Sequence, residues 1–407
     1  MRARRFVLIA QATASVGLAA GSASGGLLAE AITGNDATAA APLGALVLGA
    51  GLSAPAGAAV MTRVGRLPAL LTGYLTGMLG SALVVVAAAA GSLSWLLVGS
   101  GFLGAANTAV TLSRYVVADL SPPNHRGRAI SASLVTITAG AVVGPNLLDP
   151  TSRMAEALGL PAPAGLYLVA ILVFLAAPML LIGPMRTLPT PVSRRSRERP
   201  AGATLTASVW VRSLPNPMPA IAVLTSANMT MVAVMAVAPV HLDSQGRGLG
   251  LVGAMVSLHV AAMYIASPLL GRICDRRGPS RLATAGAVLF CFAGVTPLML
   301  GTDHLAAMTV LLVLLGIAWN IQVVAGSVML IRGVPRPQRP RLEARGELAM
   351  SLGAAAGGLL FAGLLTAAGG ITLLALATTP LHLGALLLLR IRSSALSPTP
   401  DPVSQTA

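Results

Sequence analysis

The chain has 407 residues, 55% of them hydrophobic and only 10% charged, and its mean hydropathy is +0.81. Soluble domains carry about a quarter charged residues, so this composition excludes a water-soluble globular protein and assigns the chain to the bilayer. The net charge of +15 rests on arginine alone, and aromatics make up only 3%; without a platform for stacking bases, no nucleic-acid partner is expected.

The opening "MRARRFVLIAQ" has the charged start of a signal peptide, but the apolar stretch behind it runs on into a spanning segment, so no cleaved leader is expected. A membrane helix needs about 20 mostly apolar residues. Twelve such segments follow, at 6–28, 43–62, 69–90, 95–118, 129–148, 165–185, 217–240, 250–270, 282–301, 305–329, 346–367 and 370–390. Runs this long predict helices rather than barrel strands. The expected fold is an all-α membrane protein with twelve transmembrane helices in two six-helix bundles, 1–185 and 217–392. Residues 186–216, rich in Pro, Ser and Arg, read as a cytoplasmic linker with a short surface helix near Trp210. Residues 393–407 read as a disordered tail.

Arginine placement sets the topology. With the N-terminus inside, 25 of the 27 arginines fall in cytoplasmic segments, leaving Arg153 and Arg247 outside. This asymmetry predicts a multi-pass protein of the inner (plasma) membrane with both termini cytoplasmic.

The two bundles repeat one another. An offset of 213 residues places Arg63 on Arg276, Gly65 on Gly278, Asn107 on Asn320, Arg126 on Arg339, Gly140 on Gly353 and Gly144 on Gly357. Parallel repeats meeting at a midplane cavity are a transporter architecture.

The loop "GRICDRRGPSRL" resembles the signature of the major facilitator superfamily, Gly-x-x-x-Asp-Arg-x-Gly-Arg, through Gly271, Asp275, Arg276 and Gly278. The first-half copy, "AAVMTRVGRLPA", keeps Arg63, Gly65 and Arg66 but has Ala58 and Thr62 in place of the Gly and Asp. Asp119 and Arg126 resemble the acid-x6-Arg element after span 4; in the second half the acid position is Arg332. Gly140, Gly144 and Pro145 resemble the Gly-x-x-x-Gly-Pro motif of drug exporters, while Ser100 stands where their span 4 carries an arginine. The resemblance implies gating by the charged loops. An Asp at a cytoplasmic helix end can attract a neighbouring helix N-terminus or an arginine of another span, and Asp275 is expected to favour the state closed on that side.

Polar residues inside spans are costly and mark functional candidates. Gln11, Asn107, Thr111, Asn228, Asn320 and Gln322 are the candidates for binding substrate, on spans that line the cavity in the resembled family. No acid reads as lying at mid-membrane, so proton coupling is expected at His259, since an unperturbed histidine titrates within reach of physiological pH, or at Glu30 and Asp149 near the outer rim. The Met-rich "NMTMVAVM" run offers adaptable apolar surface.

The expected function is efflux of a small amphipathic compound by alternating access, coupled to protons. An importer or uniporter of a neutral metabolite is the alternative, and a non-transporting sensor a distant one. No metal-ligand spacing, Ser-His-Asp set or nucleotide-binding loop is present, so neither an enzyme nor a bound cofactor or metal is expected. Cys274 and Cys291 are not placed for a disulfide. The expected partners are the substrate, protons and lipid, with the chain a monomer.

Overall fold

In a bilayer every backbone polar group must find its partner within the chain, and the sequence answers with helices. The structure, a computed structural model, describes residues 2–187, 216–358 and 376–389, except 36–37, 40, 246–248 and 302–303. Nearly all of the expected linker and all of the expected tail lie outside the described residues.

The first half contains α1 (Arg2–Ala23), α2 (Gly25–Thr33), α3 (Ala41–Arg63), α4 (Arg66–Ala90), α5 (Leu93–Asp119), α6 (Arg126–Asn146), α7 (Leu148–Ala157) and α8 (Gly165–Thr187). The second half contains α9 (Met218–Ser244), α10 (Leu249–Ile265), α11 (Ser267–Arg277), α12 (Pro279–Leu300), α13 (Leu305–Ile331), α14 (Arg339–Ala356) and α15 (Leu376–Leu389). Among the described residues, eight spans are long and apolar enough to cross a membrane. Helices α1, α6 and α14 run where spans 1, 5 and 11 are expected, and α15 lies within the expected span 12. Pro268, with no N–H to donate, splits span 8 into α10 and α11.

The two halves pack alike. In the first, α1 lies against α6 and α8, α4 against α5, and α3 against α5. In the second, α9 lies against α14, α12 against α13, and α10 against α13. The repeat reaches the backbone: Gly65 and its counterpart Gly278 have φ of 115° and 87°, and each precedes the first turn of a helix. Only glycine adopts such angles without strain, so both tight loops depend on it.

The halves meet mainly where α3 packs on α14 and where α6 packs on α11. The repeat register makes these two crossings counterparts of one another. Both lie at the end of the molecule that carries most of the arginines.

Candidate functional site

At the α6–α11 crossing, Asp275 at the end of α11 accepts hydrogen bonds from the backbone N–H of Gly127 at 2.7 Å and of Arg128 at 3.1 Å. These are unpaired amides of the first turn of α6, where a carboxylate is favoured by both hydrogen bonding and the helix dipole. The contact requires glycine on both sides. A Cβ on Gly271 would sit 2.6 Å from Ser131 Oγ and 2.8 Å from Gly127 O, and one on Gly127 would sit 2.7 Å from Asp275 Oδ1. The signature Gly and Asp therefore act as one device, clasping one half to the other. Arg276 is exposed beside it.

A chain of ion pairs continues the closure. Arg66 makes a two-pronged contact with Glu343 at 2.6 and 2.8 Å and also reaches Asp119 at 2.7 Å. Asp119 in turn binds Arg339, the repeat counterpart of Arg126. The acid-x6-Arg element thus closes across the halves. Arg126 itself has no partner on its buried Nε among the described residues. Burial, and then the neighbouring Arg339 charge, pushes the Arg126 pKa below the ordinary guanidinium value.

Deeper in, between α5 and α14, lies a buried ion pair: Arg114 binds Glu347, and the two residues are 2% and 6% exposed. Arg114 Nε donates to Ser327 Oγ at 3.0 Å, Nη1 to Thr111 O at 3.1 Å, and Nη2 to Tyr115 Oη at 3.3 Å. Ser327 is the repeat counterpart of Arg114. Two equivalent positions of a twofold repeat can touch only on its axis, so this cluster marks the pseudo-twofold axis between the halves.

The polar candidates of the spans divide. Gln11 joins three helices: Nε2 donates to Val110 O at 2.8 Å, and Oε1 accepts from Ser133 at 2.7 Å and Thr136 at 2.9 Å. Asn228 accepts from Trp319 Nε1 at 3.2 Å and donates to Met350 O at 3.0 Å. Gln322 lies within reach of Val223 O at 3.2 Å, and Thr111 donates to Thr108 O at 3.0 Å. Asn320 pairs with Ser267. Its counterpart Asn107 has no hydrogen-bond partner among the described residues, where Ala54 stands at the place the repeat would give a serine. Asn107 is half-buried, the open amide of the set.

His259 is 1% exposed, and its Nδ1 faces Leu312 O at 2.7 Å. Glu30 is exposed on α2, and Asp149 lies on α7 with a side chain outside the described ones. Gly140 lies where a Cβ would come within 2.2 Å of the Ser15 carbonyl carbon, so α1 and α6 touch backbone to backbone, with Gly144 and Pro145 further along α6. Arg63 is exposed at the end of α3. Sequence reasoning missed Arg114, Glu343 and Glu347. The two glutamates, one helical turn apart on α14, were the available signal, as was the offset that sets Arg114 on Ser327.

Two repeated six-helix halves, clasped at one end around a polar seam, define a secondary transporter that works through the interface of its halves. The family model described as the Major Facilitator Superfamily matches residues 6–254 and 222–406, and the chain belongs to that family. It is 31% identical over 387 residues to the uncharacterised MFS-type transporter YddS of Bacillus subtilis, covering 93% of this chain and 88% of that one. It is 27% identical to the riboflavin transporter RfnT of Brucella anthropi, covering 85% and 84%. Its fold matches the E. coli fucose:proton symporter FucP with a TM-score of 0.74 at 15% identity, covering 96% and 98%. The chain is a multi-pass membrane transporter and not an enzyme.

Proposed function

We propose that this protein exports a small amphipathic compound across the inner (plasma) membrane in exchange for protons, with its arginine-rich end in the cytoplasm. The observation that carries the reading is the Arg114–Glu347 pair on the axis. Opening the cytoplasmic end draws α5 from α14 and breaks the pair, and a lone charge buried in a membrane protein is costly. A proton taken up by Glu347 removes the carboxylate's share of that cost and its attraction to Arg114, whose guanidinium keeps its bonds to Thr111 O and Tyr115 Oη on its own helix, so protonation licenses opening. Loss of the proton to the cytoplasm allows the end to close again around a loaded cavity. The titratable groups facing Glu347 are Arg114 and Tyr115 on α5, with Glu343 on its own helix. His259, sealed against Leu312 O, is the weaker candidate for the carrier.

Export is supported by the Gly140 run and its close crossing with α1. An amphipathic substrate is supported by the open amide of Asn107, by the methionines of α9, and by kinship with a riboflavin transporter. Ser100 in place of the exporters' arginine favours the second reading, import or uniport of a neutral metabolite.

The test is flux in everted vesicles with an imposed pH gradient, using flavins and amphipathic drugs as probes. Gradient-driven uptake into everted vesicles is expected for the wild type. Glu347→Gln is expected to lose accumulation while keeping substrate exchange. Gradient-driven accumulation at wild-type level in that variant would return the coupling role to His259, Glu30 or Asp149. Transport only in the opposite direction would establish the importer.

A further inference from the structure

The two crossings at the arginine-rich end are counterparts, but only one is clasped by a carboxylate. At α6–α11, Asp275 binds the amides of Gly127 and Arg128. At α3–α14 the register puts Thr62 in place of the acid, Ala58 in place of Gly271, and Pro340 in place of Gly127. The acid is gone, and so is one of the amides it would bind, because proline has no N–H. A cleft of about 330 Å³ opens there, bordered by Thr62, Arg63, Arg341 and Arg345. All three arginines are exposed, and none pairs with an acid among the described residues.

The cleft has a second character. Its apolar wall is Pro55, Ala58, Ala59, Ala344 and Leu348, about 6 Å along each helix at 1.5 Å per residue. One turn further along the two helices stand Leu52 and Leu352, which are 79% and 59% exposed. Apolar side chains thus lead along both helices to the three guanidiniums. Guanidinium groups bind phosphate oxygens through paired N–H donors, and three cationic side chains with no acid between them favour a ligand that brings its own negative charge. A soluble anion satisfies the charge but leaves the apolar side chains uncovered. An anionic glycerophospholipid satisfies both, its phosphate at the arginines and an acyl chain over the exposed Leu52, Pro55 and Ala59 and the half-buried Leu348.

We infer that the α3–α14 cleft is a binding site for an anionic phospholipid, which closes this crossing as Asp275 closes the other. The lipid bridges Arg63 of the first half to Arg341 and Arg345 of the second, so it favours the state in which the arginine-rich end is shut. This site is independent of the direction of transport and of the coupling ion.

The test uses the full-length protein in nanodiscs of phosphatidylcholine, with or without a quarter phosphatidylglycerol. Two readouts are taken: native mass spectrometry for retained lipid, and the distance between spin labels at the ends of α3 and α14. The wild type is expected to retain phosphatidylglycerol over phosphatidylcholine and to shift to the short distance when it is present. The triple variant Arg63→Gln, Arg341→Gln, Arg345→Gln is expected to lose the preference by roughly tenfold or more. Replacing the same three arginines with lysine is expected to keep most of it, which separates loss of charge from damage to the fold. Arg272→Gln, on the clasped side, is expected to behave as wild type. Equal preference for phosphatidylglycerol in the wild type and the glutamine triple variant would overturn the site. Millimolar inorganic phosphate producing the same shift in phosphatidylcholine alone would overturn the lipid as its occupant.

Discussion

The α6–α11 and α3–α14 crossings occupy equivalent places in the repeat and are closed by different means. In the first, a carboxylate is plugged into the backbone of the facing helix, with glycine on both sides of the contact. In the second, the backbones have no such plug; beside the cleft, two glutamates of α14 reach past the crossing to Arg66 and Arg114. The first device needs a particular backbone shape. The second needs particular charges. A gate built from one of each has a hinge side and a latch side.

The comparison is broken most severely at the latch. Arg114→Met leaves the Glu347 carboxylate buried and alone, and is expected to lower stability by about 3–5 kcal/mol, read from thermal unfolding in detergent. Adding Glu347→Leu is expected to recover most of that loss; if the double variant is as unstable as the single, the pair is not the source of the effect. Gly271→Leu strikes the hinge side. Its side chain has no room beside Ser131 and Gly127, and the closed state is expected to lose on the order of 100-fold in population from overpacking of ~3 kcal/mol. Spin-label distances at the arginine-rich end report this shift. Ala58→Leu, at the counterpart position beside the open cleft, is expected to shift the same distances several-fold less. Similar shifts for the two would erase the distinction drawn above.

Smaller effects separate charge from shape. Asp275→Asn keeps the size of the plug but removes its charge. With hydrogen bonds to charged groups worth about 1.5–3 kcal/mol, a tenfold or larger loss of the closed state is expected, measured as increased labelling of cysteines placed below the axis. The smallest change is a gain. Thr62→Asp combined with Ala58→Gly and Pro340→Gly restores the acid, the room for it and the missing amide, and is expected to favour closure by about 1 kcal/mol. Thr62→Asp alone is expected to give less, and an equal gain from the single substitution would show that Ala58 and Pro340 are irrelevant.

Much of the architecture was legible from the chain alone. Helix class and the repeat followed from long apolar runs and a constant offset, because the bilayer imposes both length and hydrophobicity. The Asp275 contact was legible as a helix-end acid in search of a helix N-terminus. The axial pair was not, for a physical reason. Arg114 reads as one more positive loop residue, and Glu347 as the polar start of a span; only the crossing of α5 with α14 turns two unremarkable ends into a buried couple. The paired states of Gln11, Asn228 and Asn320 were likewise invisible, since a hydrogen bond between spans depends on which helices touch. The contrast of Asn107 with Asn320 came down to Ala54 standing at the counterpart position of Ser267, a difference that has meaning only once the register is known.

Arg114 touching its own counterpart Ser327 has a consequence for how such a molecule can be built. On a true twofold axis a residue meets a copy of itself. Two arginines there would repel, and two serines would carry no charge to hold an acid. A single charge couple at the centre is therefore unavailable to two identical six-helix units, which can hold such couples only in symmetric pairs flanking the axis. Joining the units in a single chain lifts that limit, because each side of the axis can then vary alone.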